Sequence, residues 1–349
     1  MVSPRVGKSK IIIDALSSLD GSILIVAPFN SILDAWEIEI QKWNKSLRER
    51  ITLVNQRSIT NDHRRDILIC DECHTLSEAQ IKKILSLKFK SILGSTGTLS
   101  DSSRKALKPI IKDIIYEYSI KQAIQDGIIS NYSIKVITCQ LDNKNKYVPA
   151  GTVKKPFLTT EIGAYNYYTK QFNFFKVLGY KDRTGKYDNI KYMYAGKRAR
   201  LLYSTNSKLE ITKNVINKLN DKKLVFTVLT DTADKLSKYS YHSKIKAADR
   251  ESNLARFKRS RKGLLSVCGM LSMGFTDKKL KIGIFHQLQS SEEQAQQKIM
   301  RMCNFVEEGI DAEIYILVYE NTVDMDWLQK ALAPFDQNKI EYDTFRNWI

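Results

Sequence analysis

The chain has 349 residues, 43% of them hydrophobic and 27% charged, a globular balance with apolar material for about two domains rather than a disordered tail. No run of about 18 apolar residues occurs, which excludes a membrane-spanning helix, and no basic start leads into an apolar core, so a secretory signal is not expected. Fifty-six Lys+Arg against 38 Asp+Glu give a net charge of +18, a field that favours a polyanion, nucleic acid first of all.

In chain order, MVSPRVGKSK comes first. Gly7-Lys8-Ser9 reads as the end of a phosphate-binding loop, G-x-x-x-x-G-K-[ST], whose leading glycine falls on Val2. No strand-like segment stands before it, so the first sheet is expected to lack its usual N-terminal strand. Ile11 to Ile13, Leu16 and Leu19 predict the helix that the loop opens. Residues 22–28 form a fully apolar strand ending at Pro28. Residues 32–43 have helical period, with Leu33, Trp36, Ile40 and Trp43 on one face. Further strands are expected at 51–54, at 66–70, which delivers Asp71 and Glu72, and at 91–95, which runs into Thr96-Gly97-Thr98. Near-continuous apolar strands separated by helices predict a parallel α/β sheet, with polar residues at the carboxyl ends lining a crevice.

The texture changes between about 127 and 210. Polar, turn-rich stretches flank an aromatic helix over 164–178, with Tyr165, Tyr168, Phe172 and Phe175 on one face, read as a packing surface. The α/β rhythm then returns, with strands at 224–228, 264–267, 281–285 and 312–319 and helices at 232–239, 291–303 and 324–332. A basic cluster, Arg256-Phe257-Lys258-Arg259-Ser260-Arg261-Lys262, stands out between them. The expected fold is therefore α/β with two units: a first lobe over 1–127, a connecting segment with a helical insertion over 128–205, and a second lobe over 206–349.

Five cysteines lack framework spacing and suit a reducing cytoplasm. Cys70-Asp71-Glu72-Cys73-His74 matches the haem-attachment pattern, but Cys70 and Cys73 sit beside an apolar strand and read as packing residues.

The order of the pieces carries the chemistry. Backbone N–H groups of the Arg5–Ser9 turn, at a helix N-terminus, suit phosphate oxygens. Lys8 would neutralise the β- and γ-phosphates of ATP, while the Ser9 hydroxyl and the Asp71 carboxylate would hold Mg2+. Glu72 is placed to orient or deprotonate an attacking water. Gln297 and Arg301, four apart, share a helix face in the second unit.

Asp71-Glu72-Cys73-His74 is a DExH box, and the layout resembles the superfamily-two helicases and translocases over nearly the whole chain. Residues 23–28 with Trp36 and Trp43 look like motif Ia of Snf2-like and phage enzymes. Ser95–Thr98 is similar to motif III, Leu224–Thr227 to motif IV, Leu271–Phe275 to motif V, and Gln297–Arg301 to the start of motif VI. The finer likeness is to phage DNA-remodelling helicases of the branch-migration type.

The resemblance implies two RecA-like lobes that close on ATP and Mg2+, with nucleic acid, DNA in expectation, lying across both. It implies that Arg5, Gly7, Lys8, Ser9, Asp71 and Gly274 bind nucleotide and that Lys8, Asp71, Glu72, Gln297 and Arg301 carry catalysis. By the same resemblance Pro28, Thr98, Thr227 and Ser272 touch nucleic acid, and His74 and Thr96 couple the lobes. The chain departs from the pattern at Val2, at Met300 in place of the motif VI glycine, and at Asn304 in place of its final arginine. Two functions stay open, a cytoplasmic ATP-driven helicase or translocase and a catalytically weakened binding protein on the same scaffold. An N-terminus cut close to its sheet is the other expectation.

Overall fold

The computed structural model describes residues 7–97, 99–152, 154–180, 184–269, 277, 279–305 and 311–348. Its strands are β1 (Ile23–Ala27), β2 (Ile51–Asn55), β3 (Ile67–Asp71), β4 (Ser91–Ser95), β5 (Tyr132–Cys139), β6 (Val148–Thr152), β7 (Lys155–Thr159), β8 (Lys223–Thr227), β9 (Ser240–Tyr241), β10 (Leu264–Cys268), β11 (Ile282–Phe285), β12 (Ala312–Tyr319) and β13 (Ile340–Thr344). The first sheet has the order β2-β1-β3-β4 and the second β13-β5-β12-β11-β8-β10-β9, with parallel pairing throughout both. An antiparallel hairpin, β6-β7, stands apart. These are two RecA-like lobes with a helical middle region.

Position in the sheet follows composition. β1 is Ile-Leu-Ile-Val-Ala, buried along its whole length and flanked on both sides, whereas β4 contains two serines and a glycine and lies at an edge. Register aligns the carboxyl ends, since Val26 pairs Cys70 and Asp71 pairs Ser95, so three strands present their last residues together. The helix Asn30–Trp43 buries Ile32, Trp36 and Ile40. Trp43, expected on that face, is exposed; at the helix end its ring lies under Lys42 and Lys10 and its Nε1 donates to Glu39.

The segment read as a connector is built into the second lobe. β5 lies between β12 and β13, paired with β12 from Tyr132↔Ala312 to Cys139↔Tyr319. Two helices follow, Glu161–Gly179 and Lys186–Ser204. They run antiparallel, Tyr168 meeting Tyr194 and Phe175 stacking on both Tyr187 and Tyr194. The aromatic face thus packs: Tyr165 and Tyr168 are buried, and Phe172 and Phe175 lie against the same core. No helix among the described residues is long and apolar enough to cross a membrane.

A buried polar seam ties this helical pair to the lobe. The Glu161 carboxylate, fully buried, accepts from the Asp142 and Ser207 amides and the Ser207 and Tyr147 hydroxyls. One residue further, Lys208 Nζ donates to Asp324 Oδ2 at 2.7 Å, both side chains fully buried. Breaking a buried pair leaves an uncompensated charge, at a cost of about 3–5 kcal/mol. Asp324→Ala should therefore lower the urea midpoint sharply, and Lys208→Met combined with Asp324→Leu should recover most of the loss. Chemical denaturation followed by circular dichroism checks both.

Candidate functional site

The site grows from the end of β3. Glu72 adopts a left-handed conformation (φ 49°, ψ 48°), which few residues other than glycine tolerate. The turn is pinned by Thr75, whose amide and hydroxyl both donate to the Glu72 carbonyl, at 3.0 and 2.8 Å. The effect is to turn Glu72 away from the strand and into the space between the lobes.

Three groups converge on the Glu72 carboxylate. Lys8 Nζ, from the first turn of the helix Lys8–Ser17, reaches Oε1 at 3.1 Å. Gln297 Nε2, from the helix Glu292–Phe305 of the second lobe, donates to Oε2 at 3.1 Å. His74 Nδ1 stands 3.5 Å from Oε2 and 2.8 Å from Thr96 Oγ1. Burial pushes the carboxyl's pKa up, but Lys8, His74 and Arg301 outweigh it and hold it below its ordinary value.

Asp71 behaves in the opposite way. Its Oδ2 accepts from Trp36 Nε1 at 2.9 Å and its Oδ1 from the Glu72 amide at 3.0 Å, both neutral donors. Burial dominates and raises its pKa, against the pull of Lys8. Two neighbouring carboxyls are thus driven apart, one kept charged and one penalised for charge.

Second-lobe groups complete the cleft. Burial lowers the pKa of Arg301, with Glu72 opposing. Lys298, buried and donating to Gln289 Oε1 at 2.9 Å, is held down to about 8 by the same desolvation. Glu293 accepts from Ser103 Oγ at 3.0 Å, a second bond between the lobes. Met300 is core packing.

Gly7 begins the described part of the chain, at the start of the helix Lys8–Ser17. Gly7 has φ +84°, a left-handed conformation that suits glycine, and among the described residues a Cβ there would meet nothing within 4 Å. Beside it a cavity of about 90 Å³ is lined by Lys8, Ile11, Ile12, Leu93 to Thr96 and Tyr116. Ser9 lies in the same first turn.

Lys8, Asp71, Glu72, His74, Thr96, Gln297 and Arg301 are therefore brought together. Pro28 and Thr227 stand at the ends of β1 and β8. Pro28 is buried and its carbonyl accepts from Asn55 Nδ2 at 3.3 Å, and the Thr227 hydroxyl is buried and donates to the Leu229 and Val267 carbonyls. Arg5, Thr98, Ser272 and Gly274 lie outside the described residues, as does the Asn304 side chain. Cys70 and Cys73 are buried, and burial pushes the Cys73 thiol up to about 12, the state of a packing residue. Sequence reasoning missed Glu293 and Ser103, whose only signal was a polar first helical turn in each lobe, and the role of Trp36 as the donor to Asp71.

Comparison with known proteins decides the fold. S. cerevisiae Dbp5 bound to RNA and ADP BeF3 superposes with a TM-score of 0.57 at 10% identity, covering 100% of this chain and 86% of that one. The Pyrococcus furiosus Hef helicase domain superposes with a TM-score of 0.52 at 12% identity, covering 95% and 94%. A model of the SWI2/SNF2 ATPase family matches residues 35–153. The chain has the superfamily-two helicase/ATPase fold. No curated protein matches the sequence. In this fold, the Lys8–Glu72–Gln297 cluster occupies the cleft between the lobes.

The opposed carboxyls set a pH test. A carboxyl whose folded pKa is raised lowers stability in full above that pKa, and the penalty disappears as pH falls from there to its unfolded value. Asp71→Asn keeps the Trp36 contact and removes that penalty. Its thermal midpoint should exceed the parent's at pH 8, and the advantage should shrink as pH falls into the ordinary carboxylate range near about 4. Calorimetry from pH 8 down to that range checks this.

Proposed function

We propose that this protein is an ATP-driven nucleic-acid translocase or helicase that acts on DNA, with remodelling of branched DNA its expected use. The observation that carries the reading is a single acidic side chain, Glu72, held from one lobe by Lys8 and from the other by Gln297. A group so placed reports on whether the lobes are together.

The residues fit ATP and Mg2+. Asp71 is a carboxylate satisfied only by neutral donors and penalised for its charge, which a divalent cation would relieve. Mg2+ prefers one or two carboxylates plus phosphate oxygens to an all-protein cage, and Asp71 with the Ser9 hydroxyl would hold it. The bound nucleotide would supply the transferable phosphoryl group and the cation the positive charge that offsets its oxygens.

The chain's own residues do the rest. Lys8 would shift from Glu72 to the phosphates, which frees the carboxylate. Glu72, with His74 and Arg301 still beside it, would then be able to orient a water and accept its proton. Gln297 and Arg301 would bring donors and positive charge from the second lobe, so hydrolysis would require closure. His74 with Thr96, and Glu293 with Ser103, would carry that closure between the phosphate loop and the second lobe.

ATP hydrolysis measured with and without single-stranded, duplex and branched DNA, and with RNA, tests the proposal. Stimulated turnover should fall by about 10²-fold or more in Lys8→Ala and in Glu72→Gln. Gln297→Ala should lose stimulation while still binding nucleotide. Absent turnover with salt-sensitive binding intact would favour a binding protein on the same scaffold.

A further inference from the structure

We propose that the amino-terminal ends of β10, β8 and β11 form a second nucleic-acid surface, one that grips the phosphate backbone of a duplex on the side of the second sheet away from the nucleotide cleft. The three strands are neighbours in the sheet, and their starts are level, Lys223 pairing both Leu264 and Ile282. Each start is preceded by basic residues: Arg259, Arg261 and Lys262 before β10, Lys222 at the head of β8, Lys279 and Lys281 before β11. With strands about 4.8 Å apart, these charges fall in a strip roughly 10 Å across. The cleft residues follow the opposite strand ends, so a five-residue strand puts about 16 Å between the two surfaces.

Some of these charges are structural. Lys222 is fully buried, paired with Asp277, lies over the Phe257 ring and donates to the Lys258 carbonyl at 3.1 Å, which fixes the end of the helix Ala247–Arg259 against the sheet. Lys281 is paired with Glu313 at 2.7 Å. Arg259, Arg261, Lys262 and Lys279 are exposed and make no ion pair among the described residues. Helix-dipole compensation accounts for Arg259 at the helix end, but Arg261, Lys262 and Lys279 lie outside any helix. Burial lowers the pKa of Lys223; Asp221 opposes this and Lys262 adds to it.

The strip's chemistry selects a duplex over a single strand. Single-strand binders combine positive charge with aromatic platforms, and among the described residues of the strip no aromatic side chain is exposed; Phe257 is buried beneath them. What remains is a row of point charges suited to phosphates, without means to read bases.

The test compares the full chain with a combined Arg259→Ser, Arg261→Ser, Lys262→Ser, Lys279→Ser variant, without nucleotide. Fluorescence anisotropy follows binding of a DNA duplex, the same duplex in RNA and a single strand, over about 50–200 mM salt. The slope of log affinity against log salt should become shallower by about three to four for duplex, at about 0.9 per lost contact, and stay unchanged for single strands. Arg261→Glu and Lys279→Glu, each a single exposed change, should each weaken duplex binding, which guards against misfolding of the combined variant. An unchanged duplex slope in all variants would overturn the proposal, as would displacement of duplex by polyglutamate at equal charge concentration, which would point to an acidic protein partner. Because the assay contains no ATP, its failure and a failure of the ATPase reading are separate results.

Discussion

The carboxylate of Glu72 is the constraint on which the cleft depends. It is one short side chain on a turn with positive φ, yet it accepts from a lysine of the first lobe and a glutamine of the second. A negative charge in a partly desolvated cleft must be answered, and the answering groups come from elements far apart in the chain. The position of the helix Lys8–Ser17, the seating of the helix Glu292–Phe305 and the orientation of His74 are all linked to that requirement. A change in what Lys8 touches alters the charge balance on Glu72, and with it the bond that reaches across.

Asp71 and Glu72 show how one strand end supports two chemistries. They are adjacent, but Asp71 is turned towards the indole of Trp36 and the sheet, whereas Glu72 is turned outward by its backbone. The first is left short of positive charge and the second is supplied with it. The strain of the left-handed turn is thereby put to use, because an extended residue at 72 would have continued along the strand.

Much of this was legible from the residues. Fully buried parallel strands are near-continuous apolar runs, so β1, β3, β8 and β12 announced themselves. β5 did not, because Ser133 and Lys135 interrupt it and its partners lie far away in sequence. The helix Lys186–Ser204 carries lysine, asparagine and arginine around most of its circumference and is held by ring stacking with its neighbour, which periodicity does not report. In the site, Lys8, Asp71, Glu72 and Gln297 were recognisable from motif order. Glu293 and Ser103 were not, since a contact between lobes leaves no local pattern. At Pro28 and Thr227 the residue type at a strand end suggested a ligand contact, and what the sequence did not show is that both side chains are buried.

The threading of the second sheet bears on how the chain is made. The first sheet is assembled from residues 23–95 alone. β5 comes next, yet its partners are β12 and β13, which begin at residues 312 and 340. At synthesis rates of about 5–20 residues per second, β5 waits on the order of ten to forty seconds for the first of them. Throughout that interval Ile134, Val136 and Ile137, all buried in the finished lobe, have no sheet to enter. The nascent chain thus carries a formed first lobe ahead of an exposed apolar strand, and that strand, rather than the cleft, is where chaperone engagement or aggregation during expression would begin.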